Sequence, residues 1–188
     1  MKRLLLIIDP QVDFITGTLP VPGAEPAMTA LASYVADNPD HYAHIIVSAD
    51  RHPFRHFSFA ENGGPWPRHC VHDSVGAAVW PPLLDTLCLS PVPSTFLYKG
   101  QKADVEEYSI FQNKEAAGVI TSIIRNEGID AIDICGLAGD VCVAQSLSDA
   151  LAIPDMPPIR VLCEFAPSLD GGTKLNQLIA DNHLEATI

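Results

Sequence analysis

Apolar residues follow two recurring patterns along this chain. Short runs dominated by apolar residues occupy Leu4–Ile8, His44–Ser48, Thr95–Tyr98, Ile129–Cys135 and Ile159–Cys163. Runs of that length suit strands covered on both faces, and Glu185–Ile188 begins a sixth. Between them, apolar positions recur every three or four residues. Met28, Leu31, Ala32 and Val35 give Glu25–Ala36 a helical face. Glu115–Asn126 reads as a helix capped by Asn113 and stopped by Gly128, followed by further helices at Val141–Leu151 and Gly172–Asn182. Pro10–Ala24 carries Gly17, Pro20, Pro22 and Gly23 and reads as loop. Ala49–His69 is a long irregular loop, and Ser74–Leu87 suits short helical turns. Strands alternating with helices predict a three-layer α/β/α fold of Rossmann-like type around a central, mostly parallel six-stranded sheet. No repeat or linker interrupts the pattern, so residues 1–188 read as one domain.

That architecture locates the chemistry. Ligands of parallel sheets bind beyond the carboxyl ends of the strands. Asp9, Asp50, Lys99 and the turn Gly136–Cys142 each follow a strand-like run and therefore converge on one sheet edge. No G-x-G-x-x-G follows the first run, which argues against a dinucleotide binder.

Composition narrows the class. The 188 residues are 47% hydrophobic and 18% charged, as in a globular protein, and no apolar run reaches membrane-spanning length. The apolar start ends at Asp9-Pro10 without a small-residue cleavage site, so a cytoplasmic location is expected. A net charge of -12 argues against nucleic acid and anionic membrane as partners. Five cysteines, Cys70, Cys88, Cys135, Cys142 and Cys163, without CxxC spacing argue against a disulfide framework.

Three constellations carry candidate chemistry. In the first, Cys142 falls in the first turn of a predicted helix with Asp140 at the cap position. A helix start favours the thiolate and offers backbone amides to an oxyanion. Asp9 could take the thiol proton, and Lys99 could hold Asp9 and favour the thiolate. In the second, Asp50-Arg51-His52 is followed by His56 and His69, a carboxylate and three imidazoles suited to Zn, Fe or Mn. His72, just past that loop, is the poorest candidate of the four clustered histidines, and His41, His44 and His183 lie outside the cluster. In the third, Phe14, Trp66 and Tyr108 lie in predicted loops and could wall an apolar slot. A plain alternative exists for each: strand-end caps, a polar surface loop and packing aromatics.

The segments DPQVDFITGTLPVPGA from Asp9, SADRHPFRHFSFAENGGPWPRHCV from Ser48, YKG at Tyr98, EEYSIF at Glu106 and GLAGDVCVAQSLSDA at Gly136 span most of the chain. Together they resemble the nicotinamidase/pyrazinamidase branch of the isochorismatase-like cysteine hydrolases. The resemblance implies a catalytic triad of Asp9, Lys99 and Cys142. It implies one divalent metal ion, Zn first and Fe or Mn as alternatives, on Asp50, His52 and His69. His56 matches a position that is a ligand in some members. It also implies a ring pocket of Phe14, Trp66 and Tyr108, a cis bond between Leu137 and Ala138, and an oxyanion hole from the amides of Ala138 and Cys142. The expected reaction is hydrolysis of a small aromatic amide through a thioester, nicotinamide first and pyrazinamide beside it. Another amide or carbamoyl substrate, or a metal-binding protein without catalysis, is the alternative, and homo-oligomerisation is open. Three departures stand out. Gly139 occupies a position where the family leads one to expect threonine. Val141 stands where an aromatic or histidine is frequent, and 152–159 is rich in proline.

Overall fold

The computed structural model describes residues 1–187. The part of the sixth predicted strand that falls on Ile188 lies outside them. Six strands form one sheet in the order β3-β2-β1-β4-β5-β6: β1 (Arg3–Ile8), β2 (His44–Asp50), β3 (Ser94–Lys99), β4 (Ala131–Gly136), β5 (Ile159–Leu162) and β6 (Glu185–Thr187). Every neighbouring pair is parallel, so the sheet is parallel throughout.

The unbroken apolar run of β1 follows from its central place. Leu5 and Ile7 face one layer, packing with Met28 and Leu31 of α2 (Ala24–Asp37) and Leu83 and Leu87 of α3 (Pro81–Leu89). Leu4, Leu6 and Ile8 face the other, packing with Ile120 of α4 (Lys114–Glu127), Leu147 of α5 (Ala144–Leu151) and Leu175 of α6 (Thr173–Asp181). A residue exposed on neither face has no polar alternation to show, which is why β1 reads as continuous. The cap and stop of α4 are as the sequence predicts: Asn113 Oδ1 accepts from the Ala116 amide at 3.1 Å, and Gly128 closes the helix at φ 64. No described helix is long and apolar enough to cross a membrane.

Three elements depart from the sequence reading. A single helical turn, α1 (Val12–Ile15), interrupts the predicted loop 10–24. A full helix, α3, replaces short turns, with Pro81 and Pro82 in its first positions, where their missing amides cost nothing. The helix predicted from Val141 begins earlier, as a π-helical turn over Gly139–Val143 that runs into α5.

The chain moves outward from β1 in both directions, to β2 and β3 on one side and β4, β5 and β6 on the other. The carboxyl ends of β1 and β4 thus flank the point where the topology switches, where parallel sheets bind ligands.

Candidate active site

Four strand ends deliver the polar groups. Asp9 follows β1 with φ 45, Asp50 ends β2, Lys99 ends β3, and the π-helical turn carrying Cys142 follows β4. Lys99 is completely buried at the centre of this group. Its Nζ lies 2.8 Å from Asp9 Oδ2, 2.6 Å from Asp50 Oδ1 and 3.6 Å from Cys142 Sγ. The register explains the convergence, because Asp50 pairs directly with Lys99 across β2 and β3.

Electrostatics set the resting protonation. Burial opposes the charge on Lys99, but Asp50 and Asp9 outweigh it and hold its pKa well above that of an ordinary lysine. Burial pushes the Asp9 carboxyl upward against the pull of Lys99. Burial also drives the Cys142 thiol well up; Lys99 pulls it down, while Asp9 and Asp50 push it higher. The sulfur therefore sits where burial favours the thiol and, of its charged neighbours, Lys99 alone favours the thiolate. Beside the helix start, burial is thus a second influence on the sulfur, and it acts against the thiolate. Asp140 is not a cap for its own helix. Its two carboxylate oxygens accept from the amides of Leu169 at 2.9 Å and Asp170 at 3.2 Å, tying the turn to the loop after β5.

Beside the triad stands a compact donor set. Among the described residues, ligand atoms of Asp50, His52 and His69 lie within 4.8 Å of one another. His52 Nδ1 donates to the Gly100 carbonyl at 3.0 Å and His69 Nδ1 to the Pro67 carbonyl at 2.8 Å. A carbonyl only accepts, so each Nδ1 carries a proton and each Nε2 is the nitrogen left to face the other donors. Buried His52 Nε2 has no hydrogen-bond partner among the described residues and lies 3.7 Å from Asp50 Oδ2. Burial and the neighbouring imidazoles push His52 down to about 3, keeping the ring neutral. An orphaned imidazole nitrogen, a second imidazole and a carboxylate, all buried, fit a divalent cation. His56 stacks on His52 with ring centroids 4.2 Å apart, but its own nitrogens engage Ser58 Oγ at 2.6 Å and the Val105 carbonyl at 3.1 Å. It also groups with His52 and Glu106.

Above Cys142 opens a narrow pocket walled by Phe14, Trp66, Tyr108, Val141 and Leu169 and flanked by Asp50, His69 and Ala138. All three sequence-predicted aromatics therefore share one cavity. Phe14 arrives on α1 rather than on a loop, and Trp66 Nε1 donates to Tyr108 Oη at 3.0 Å, fixing both rings. The Leu137–Ala138 bond is cis.

Two contributors carry no sequence signal. Ser48 donates to Asp9 Oδ1 at 2.7 Å. Gln11 clamps Asp50 by its backbone, accepting from its amide and donating to its carbonyl, each at 2.8 Å. Only the adjacency of β1 and β2 gives either residue a role.

This fold and this site define an α/β/α hydrolase of the isochorismatase-like class. The chain belongs to the isochorismatase domain family, which it matches over residues 3–153. It is 36% identical over 181 residues to the nicotinamidase/pyrazinamidase of Mycobacterium tuberculosis, covering 94% of this chain and 92% of that one. Its identity with the Escherichia coli nicotinamidase is 30% over 169 residues, covering 80% and 77%. The crystal structure of Pyrococcus horikoshii pyrazinamidase in complex with zinc superposes with a TM-score of 0.82 at 27% identity, covering 100% and 99%.

Proposed function

We propose that the protein is a nicotinamidase, hydrolysing nicotinamide to nicotinate and ammonia with Cys142 as nucleophile, and that pyrazinamide is a second substrate. One observation carries the reading: the thiol lines an aromatic-walled pocket that a metal-type donor set flanks, with the Lys99 ammonium in contact with the sulfur and with the buried Asp9 carboxyl. The names of the relatives agree with it.

Asp50, His52 and His69 would hold one divalent ion, zinc first, which when bound supplies a Lewis-acid anchor for a ring nitrogen or for water. Phe14, Trp66 and Tyr108 sandwich the ring and exclude water, leaving the carboxamide over the sulfur. Asp9 takes the proton from Cys142, with Lys99 stabilising both anionic partners. The sulfur attacks the carboxamide carbon, forming the C–S bond and placing negative charge on the carbonyl oxygen. Of the turn amides, those of Gly139, Val141 and Val143 are spent on the carbonyls of Pro167 and Ala138. The amides of Ala138 and Cys142 receive the oxyanion. Asp9 passes its proton to the departing nitrogen, the C–N bond breaks, and ammonia leaves a thioester. Asp9 then takes a proton from water as its oxygen attacks, the C–S bond breaks, and the proton returns to the sulfur.

The test is ammonia release from nicotinamide, pyrazinamide and a panel of other amides, before and after chelation. Wild type should release ammonia, chelation should suppress it, and Cys142→Ala should abolish it with the fold intact by circular dichroism. Full activity in Cys142→Ala would remove the mechanism. Turnover confined to other amides would remove the substrate assignment.

A further inference from the structure

We propose that Glu107 is a positioning residue: through Gly100 it sets the orientation in which His52 offers Nε2 to a divalent cation. The inference rests on reading Asp50, His52 and His69 as a metal set.

Glu107 is a buried carboxylate that the proposed reaction does not use. Both of its accepted side-chain hydrogen bonds fall on one oxygen. Oε2 takes the Gly100 amide at 2.8 Å and Asn113 Nδ2 at 3.3 Å. Asn113 is itself anchored as the N-cap of α4, so Glu107 joins that helix to the turn after β3. On the other side of Gly100, the carbonyl accepts from His52 Nδ1 at 3.0 Å. The residue adopts φ +68, and a Cβ there would stand 2.5 Å from His52 Cε1 and 2.7 Å from Nδ1. The Gly100 backbone therefore abuts the Nδ1–Cε1 edge of the ring, and a shift of one bears on the other. Residues Gln101–Val105 are exposed and are fastened only through the carbonyls of Ala103 and Val105, which accept from the Phe57 amide at 2.9 Å and from His56 Nε2 at 3.1 Å, so among the described residues Glu107 is the side chain that binds the Gly100 amide itself. The path runs from Asn113 through Glu107 and Gly100 to His52 Nδ1, with Nε2 on the far side of the ring beside Asp50. Partners of this kind, one step behind a ligand, set its tautomer and its aim.

The single-oxygen geometry makes the test discriminating. Glu107→Gln keeps an oxygen acceptor for both donors, and Glu107→Asp keeps the charge but falls one methylene short. Zinc alone is the probe, titrated against a chromogenic chelator competitor, with unfolding of the zinc-free protein followed in parallel. Glu107→Ala and Glu107→Asp should weaken zinc binding by roughly 10–100-fold, the range for lost ligand-orienting contacts, while Glu107→Gln stays near wild type. Wild-type zinc affinity in Glu107→Ala, whatever its stability, overturns the inference. So does an equal loss in Glu107→Gln, which would make charge the requirement rather than the acceptor. Where Glu107→Ala fails to fold, Glu107→Asp decides on the same terms. His52→Ala is the reference: if wild type binds no zinc, or His52→Ala binds it as tightly, the metal reading itself falls and this inference with it.

Discussion

Asp50 shows how much a single side chain carries in this site. Its Oδ1 neutralises Lys99 at 2.6 Å, while its Oδ2 lies 3.7 Å from His52 Nε2. One carboxylate is thus shared between the nucleophile's cation and the donor set, and Gln11 grips its backbone from both sides. His52 gives the clearest pH consequence. Its pKa is about 3 when folded against 6.5 for the free imidazole, so the unfolded chain binds more protons between those values. The stability it contributes is complete above about 6.5 and is lost as pH falls toward about 3. Chelator-treated protein should lose about 2 kcal/mol from this residue between pH 7 and pH 5, read from urea unfolding. A His52→Asn variant losing as much over that interval would assign the effect elsewhere. Asp9, Asp50, Lys99 and Cys142 were legible as residues because each ends or follows an apolar run. Gln11 and Ser48 were not, since a glutamine in a loop and a serine in a strand acquire partners only through the pairing of β1 with β2. His56 lies in the histidine cluster, but its hydrogen bonds to Ser58 and the Val105 carbonyl depend on loop packing that spacing does not encode.

Among the elements, the strands were easiest to read, because burial on both faces writes itself as unbroken apolar runs. β2 extends past Ser48 to Asp50 because its last residue pairs with Lys99, a contact between distant segments. The helix α3 was obscured by its two leading prolines, which suit a first turn and disrupt any other. The turn over Gly139–Val143 was legible as a strand-to-helix turn but not as π-helical. Its departure from the family expectation has a local cause. A Cβ on Gly139 would stand 2.3 Å from both the Ala166 carbonyl oxygen and Ser168 Oγ, so this chain brings the 166–168 segment where a side chain would need to be. Gly139→Thr should therefore cost about 1–3 kcal/mol by overpacking and lower kcat by displacing Cys142. Urea unfolding and steady-state ammonia release read the two effects. A variant as stable and as active as wild type would show that the segment yields freely.

At the scale of the whole molecule, the six parallel strands bring groups from positions 9, 50, 99 and 142 to one end of the sheet. The alternation of runs and helical segments made that architecture legible, with the refinement that all six described strands run parallel. The three aromatic walls come from separate segments, and only the folded chain shows that they enclose one cavity. Lys99, however, belongs to β3, which lies at the border of the sheet and pairs on one side only, with β2. Its outer residues Phe96 and Tyr98 are substantially exposed. A border strand has fewer neighbours to part from on opening, so β3 is expected to open at lower free energy than β1 and β4. Detaching it would withdraw the cation from between two buried carboxylates while β1 and β4 remain intact. In graded urea, ammonia release should then fade ahead of the main unfolding transition, and β3 amides should exchange hydrogen before those of β1. If both losses coincide with global unfolding, that independence is absent. If they precede it, the protein can fall silent while still folded.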